Sequence, residues 1–390
     1  FNYKSDMPTK INENDITELN TSEFFKRKTA NPKIVSKNDP QIIKSNQILK
    51  LLNSKTRRKE AISAFLYSFA DIDRNAVLDF IKVLQTYPAD TPDTEIAQVI
   101  YQWYCSIGKE NKIGFKMTDQ EYQLNKAQNI ASIITANFSP RRKEQFKRKA
   151  LLDIGAGDCA MTSLVSELLG MEANAIDIQS NIDWGGENSS DKKNKNDYMT
   201  KIHHHYTYDG RDLLGTLKGK KFAVVMYNHS LHHFPSFQDQ IESLKQVSQI
   251  LEPGGILFLS EHANCFDDDI FDLSHILLNL RYSIDKNQIL TPSEAGDAIA
   301  KFKSEYQSHY FSKNILNAIA TQLGFNLVKQ EIRSATDVAK ATFFCFVKKE
   351  PKIELPCSLR FFDTDAANGL PHHIEKSDSQ QKKYSAESFK

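Results

Sequence analysis

The stretch from Ala150 to Gln179, ALLDIGAGDC AMTSLVSELL GMEANAIDIQ, constrains the chain more than any other. Ala150 to Ile154 is an apolar run of the length of a buried strand. Gly155 and Gly157 make a turn, Ala160 to about Leu169 carries helical spacing, and a second apolar strand ends on Asp177. The βαβ unit that begins here aims backbone amides and a helix N-terminus at a crevice beyond the strand ends. A nucleotide-like ligand is expected in that crevice.

Two ligand classes fit. Gly155, Gly157 and Ala160 satisfy the pattern G-x-G-x-x-G/A, and Asp177 stands near the distance expected of an acid that holds a ribose, which leaves a dinucleotide open. Asp158 weighs against it, because a carboxylate just after the second glycine would face a pyrophosphate, a repulsion on the order of a kcal/mol or more. S-adenosylmethionine has no phosphate and carries an ammonium and a sulfonium. An acidic glycine turn suits it.

Four blocks in order carry a resemblance. Leu152 to Asp158, LDIGAGD, with Ala175-Ile176-Asp177-Ile178 resembles the first motif and the ribose-binding strand of the class I S-adenosylmethionine-dependent methyltransferases. Tyr208-Asp209-Gly210 resembles their adenine-contacting turn. Phe222 to Phe234, FAVVMYNHSLHHF, and Leu251 to His262, LEPGGILFLSEH, resemble the fourth strand with its HH end and the fifth strand with its L-x-P-G-G turn. The likeness covers about residues 118–349. It implies an α/β fold with a Rossmann-like doubly wound sheet, mostly parallel, closed by an antiparallel strand. It also implies cofactor contacts at Asp153, Gly155, Ala156, Gly157, Asp158, Asp177, Ile178, Asp209, Gly210 and Asn228. Asp177 would accept from the ribose, Asp209 and Gly210 would sit by the adenine, and Asp153 or Asp158 would offset the ammonium.

Composition narrows the partners. With 50 basic and 49 acidic side chains the formal charge is +1, so no global field favours nucleic acid or a membrane. Cys105, Cys159, Cys265, Cys345 and Cys357 are scattered without C-x-x-C spacing, which argues against zinc fingers and disulfide frameworks and for a reducing, cytoplasmic setting. No apolar run reaches the roughly 20 residues that span a bilayer.

In order, residues 1–44 read as a mobile arm and 45–117 as a small helical domain. Its stripes are Ile62, Phe65, Leu66, Phe69; Val77, Phe80, Ile81, Leu84; and Ile96, Val99, Ile100, Trp103, the third helix opening with Thr91 as cap and Pro92 as first residue. Residues 118–350 form the α/β domain, opening on a capping box at Thr118 before a helix with Leu124, Ala127, Ile130, Ala131 and Ile134. Ser139 to Lys149, SPRRKEQFKRK, is the most basic window and reads as a solvated linker, with contact to RNA as the alternative. Gln179 to Thr200 reads as a lid or disordered insertion anchored by Trp184. Consecutive His203, His204 and His205 in an extended segment cannot easily converge on one ion, so no metal ligands are assigned. Residues 351–390 read as a largely disordered tail.

Asn228, His229, His232 and His233 end the fourth strand, and Glu261 and His262 the fifth, at the crevice a methyl acceptor must enter. Imidazole titrates near neutrality, which makes His233 the first candidate base and His232 the second, with Glu261 and His262 beside them. The acceptor is left between RNA and a small metabolite. Ser260 to Ala263, SEHA, with Asp272, His275, Tyr306 and Phe325 is weakly similar to an Arg-Glu-His-Asp variant in methyltransferase-like modules of some viruses, on the RNA side; HSLHHF is equally typical of enzymes acting on quinones. An NAD-dependent enzyme and a non-catalytic binding or scaffold module are the competing classes.

Overall fold

The computed structural model describes residues 37–107, 119–136, 138–186, 196–262, 268–285, 287–306, 308–333 and 341–349. Most of the expected arm, the tail from 351, Thr118 with its capping box and residues 187–195 of the loop after the ribose-binding strand lie outside them.

In chain order the helices before the sheet are α1 (Pro40–Ile43), α2 (Gln47–Leu52), α3 (Arg58–Ser68), α4 (Arg74–Leu84), α5 (Asp93–Ser106), α6 (Asp119–Thr135) and α7 (Pro140–Phe146). The α/β part runs β1 (Ala150–Ile154), α8 (Ala160–Leu169), β2 (Glu172–Asp177), β3 (His204–Thr207), α9 (Leu213–Leu217), β4 (Phe222–Asn228), α10 (Phe237–Ile250) and β5 (Leu251–His262). It continues with α11 (Asp268–Asp285), α12 (Pro292–Glu305), α13 (Lys313–Gln322), β6 (Phe325–Ile332) and β7 (Ala341–Lys348). Among the described residues seven strands form one sheet in the order β3-β2-β1-β4-β5-β7-β6. β1, β2, β3, β4 and β5 pair in parallel, and β7 is antiparallel to both β5 and β6. This is the expected doubly wound sheet with its closing antiparallel strand.

The central strands read as unbroken apolar runs because both faces of the sheet are covered. Side chains alternate between the faces. Leu152, Ile154, Val225, Tyr227, Leu257 and Leu259 enter one core with α10 and α13. Leu151, Val224, Met226, Ile256 and Phe258 enter the other, under α6 and α8. Fully buried phenylalanines such as Phe222, Phe258, Phe344 and Phe346 each add about 1.5–3 kcal/mol. Leu124 is exposed and drops out of the α6 stripe, which buries Ala127, Ile130, Ala131, Ile133 and Ile134 instead.

A separate core holds the helical layer. Phe65, Phe69, Val77, Phe80, Ile81, Ile96 and Ile100 share one cluster with Ile270, Leu273, Leu277, Leu280 and Ile299. The N-terminal helices thus pack on α11 and α12, which enter the chain only after β5. Polar ties follow the same path: buried Asp93 accepts the Gln47 amide at 2.9 Å and the Ile48 amide at 2.8 Å, and pairs with Lys303 of α12. Arg281 of α11 meets Asp71 at 3.2 Å.

Two local expectations fail for stated reasons. The helix expected to begin at Pro92 begins at Asp93, with Pro92 in the cap position, because the Thr91 hydroxyl donates to the Pro88 carbonyl at 2.8 Å. The basic linker is the helix α7, capped by Ser139 Oγ, which accepts the Arg142 amide at 3.2 Å. Arg142 lies over the Phe138 ring at 4.6 Å and donates to the Gly254 carbonyl at 2.7 Å, an anchorage that a solvated linker lacks.

Candidate active site

The strand order reverses between β1 and β4, and such a switch point opens a crevice beyond the carboxyl ends of the strands. On the β1 side, Gly155 (φ 71°) and Gly157 (φ 54°) take the left-handed backbone that a side chain would strain. A Cβ on Gly155 would stand 2.5 Å from Ser230 Cβ. Ser230 follows β4 and its Oγ donates to the Ile154 carbonyl at 2.5 Å, so the loops after β1 and β4 are clamped together. The bareness of Gly155 therefore makes room for Ser230. Gly157 is the open one, with the Trp184 indole the nearest neighbour of a Cβ there, at 3.8 Å. That contact lays Trp184 against the glycine turn.

Asp177 is buried at the end of β2. Its Oδ2 accepts the Gly157 amide at 2.9 Å and its Oδ1 the Gln179 amide at 3.2 Å, and each oxygen keeps a second lone pair. Asp158 Oδ1 accepts the Ala160 amide at 3.1 Å, while the amides of Gly155 and Ala156 donate to Ile176 O at 2.8 and 3.4 Å. Ile178 is exposed, and a Cβ on Gly210 would stand 3.3 Å from Ile178 Cγ2, so the fold brings these two expected contacts together. Asp209 Oδ1 accepts the Arg211 and Asp212 amides at 2.8 Å each, which hold its carboxyl below the usual range.

Asp153 is buried within β1. The Thr162 hydroxyl donates to its Oδ2 at 2.6 Å, and its Oδ1 has no hydrogen-bond partner among the described residues. Burial pushes the carboxyl up to about 7, against the Thr162 bond and with help from Asp177. Lys126 on α6 lies within electrostatic reach of Asp153 and Asp158; burial pushes its ammonium down to about 8, with Arg333 adding to the shift. The sequence reading of α6 follows apolar spacing and passes over this lysine, whose one signal is its place beside Ala127 on a helix expected to cover the pocket. An acid near neutrality with an unbonded oxygen suits a cationic ligand.

On the β4–β5 side, Asn228 ends β4, and its Oδ1 is buried without a partner among the described residues. His229 follows in the left-handed region (φ 56°), and its Nε2 lies 2.9 Å from Ser260 Oγ. The 3-10 turn Leu231–His233 comes next. Glu261 is buried, accepts the Leu231 amide at 2.9 Å through Oε1 and bonds His232 Nδ1 through Oε2. Burial pushes Glu261 up to about 8 and His232 well below the usual imidazole range. Both directions reflect the cost of charge in a dry site. His233 is exposed; its ring lies tilted 4.1 Å from the His232 ring and 5.4 Å from Tyr306. Behind them the Tyr306 and Tyr310 hydroxyls meet at 3.0 Å, and burial lifts both phenols above their usual range.

The fold thus gathers His232, Glu261 and His262 in one buried group and sets His233 beside it. Ser230 and Tyr310, which the sequence reading gives no role, complete the arrangement; Tyr306 and Tyr310 lie between two helices, and no local period in the sequence marks their contact. The imidazoles that converge are not those of the His203–His205 run, which lies at the β3 edge. They are His232, His262 and His275, whose ligand nitrogens lie within 4.8 Å of one another.

A family model described as "Methyltransferase domain" matches residues 122–330. No curated protein sequence matches the chain. Among solved structures the chain is similar to the 1,6-didemethyltoxoflavin-N1-methyltransferase of Burkholderia thailandensis with bound 1,6-didemethyltoxoflavin and S-adenosylhomocysteine. That likeness has 14% identity and a TM-score of 0.37, over 68% of this chain and 93% of that one. It is similar also to the magnesium protoporphyrin IX methyltransferase of Synechocystis PCC 6803 with bound S-adenosylhomocysteine, at 12% identity and a TM-score of 0.37, over 66% of this chain and 97% of that one. Among the described residues no helix is long and apolar enough to cross a membrane.

Proposed function

Because the chain belongs to the methyltransferase-domain family, we propose that it transfers the methyl group of S-adenosylmethionine to a small-molecule acceptor. One observation supports the reading above others: buried acids at the glycine turn, Asp153 and Asp177, and a buried wall of imidazole, carboxylate and phenol gather at the same edge of the sheet. S-adenosylmethionine supplies an electrophilic methyl carbon on a cationic sulfur. Asp177 accepts from the ribose hydroxyls with the lone pairs its two amide contacts leave over. Asp153 Oδ1, Asp158 and Asn228 Oδ1 take the ammonium end, and Ile178 and Gly210 flank the adenine with Asp209 beside its amino group.

The acceptor stands on the histidine side. The half-buried Tyr306, backed by buried Phe271 and Tyr310, offers a flat ring, and the exposed His233 takes the acceptor's proton as the new bond forms, then returns it to water. Glu261 and His232 hold the turn that carries His233. The basic residues of α7 lie near the starting edge of β1 and β5, where Lys149 pairs with Glu252. The five residues of β1 separate that edge from the crevice by about 16 Å, so α7 offers no polyanion track into it.

Calorimetry tests the donor: S-adenosylmethionine and S-adenosylhomocysteine bind one per chain, and NAD does not. Preference for NAD overturns the reading. With methyl-labelled donor, label entering a low-molecular-weight acceptor supports the second half of the proposal, and label entering only RNA overturns it.

A further inference from the structure

We infer that His232, His262 and His275 form a site for one divalent transition ion of the zinc class, with a fourth position open to an oxygen ligand. The three come from different elements: the turn after β4, the end of β5 and the second turn of α11. The His262 ring lies 5.0 Å from the His232 ring and 5.0 Å from the His275 ring, and their ligand nitrogens fall within 4.8 Å of one another. Tetrahedral zinc with bonds of about 2.0–2.1 Å sets its nitrogens about 3.4 Å apart, a distance that modest ring rotation reaches.

For His232 and His275 the outer contacts are those a metal site requires. A metal-bound histidine donates its other ring N–H to a carboxylate or carbonyl, which fixes the tautomer and points the remaining lone pair at the ion. His275 Nδ1 lies 2.7 Å from the Phe271 carbonyl, so Nδ1 carries the proton and Nε2 the lone pair. His232 Nδ1 bonds the Glu261 carboxylate in the same sense. His232 Nε2 is then left buried with no hydrogen-bond partner among the described residues. Buried polar atoms are nearly always bonded, and the ring that carries this one lies 5.0 Å from the His262 ring. Three histidines leave the fourth tetrahedral position to water or an acceptor oxygen.

The inference does not rest on the methyl donor, and its test needs none. The purified full chain is titrated with Zn2+ against a chromophoric chelator, and with Co2+ by visible absorption. One equivalent is expected, with Kd below about 1 µM. His275→Gln is expected to weaken binding about a hundredfold or more while the thermal melt and donor binding persist, and His203→Ala to leave affinity unchanged. Absence of saturable binding, or wild-type affinity in His275→Gln, overturns the site. Zinc X-ray absorption of the wild-type chain needs no variant: nitrogen neighbours at about 2.0–2.1 Å with imidazole scattering support it, and a shell without imidazole overturns it. If zinc fails to bind while S-adenosylmethionine binds, only the metal inference falls.

Discussion

The two sides of the crevice are built in opposite ways. The frame of the glycine-turn side comes from one stretch of about thirty residues, in which Asp177 reaches back twenty positions to the Gly157 amide at 2.9 Å. The histidine side is assembled from the ends of β4 and β5, from α11, and from Tyr306 and Tyr310 beyond α12, and the helical layer behind it shares its core with the N-terminal helices. A locally encoded site tolerates change elsewhere in the chain. One assembled from distant segments can be altered to take another substrate while the local half keeps the same donor.

If this division holds, variants on the two sides should move different quantities. The largest effect is expected from His233→Asn, a fall in kcat of about a hundredfold or more with donor Kd within about twofold, read by steady-state kinetics and calorimetry. Retained turnover removes His233 as the base. Asp177→Ala should weaken donor binding by about ten- to a hundredfold through loss of charge-assisted bonds, with its main effect on affinity for the donor. Equal affinity would take Asp177 out of the pocket.

Next in size is the clamp between the sides. Gly155→Ala should destabilise the fold by about 2–3 kcal/mol in denaturant unfolding, through the positive φ and the 2.5 Å approach to Ser230 Cβ. The double variant with Ser230→Gly should recover the steric part but not the backbone part. Strict additivity would mean that the two loops are not in contact.

The last effect is a slope. Burial holds Asp153 at about 7, against about 3.9 in an unfolded chain, so between these values the folded protein keeps a proton that the unfolded chain has lost. Its contribution to stability therefore falls as pH rises from about 4 to 7 and levels off above that. Asp153→Asn should remove the fall, so that the variant's melting temperature gains on the wild type from pH 4.5 to pH 7.5. A constant difference across that range would show that Asp153 does not titrate there.

Much of the fold is legible in order along the chain. The strand, turn and helix from Ala150 to Leu169, the caps at Ser236, Thr291 and Ser312, and the closing strands all follow from spacing and capping chemistry between near neighbours. Failures came where a side chain had a partner that spacing does not reveal. Thr91 turned to Pro88, and Arg142 packed against aromatic rings and the Gly254 carbonyl.

The sequence by itself determined the βαβ start, the acidic glycine turn and hence the class of ligand, since these depend on contacts within a few turns of chain. Only the tertiary structure decided that His275 joins His232 and His262, that Lys126 stands by Asp153, and that helices on both sides of the sheet in sequence share one core. Such groupings are set by which faces pack together once the sheet closes, and no local period in the chain records them.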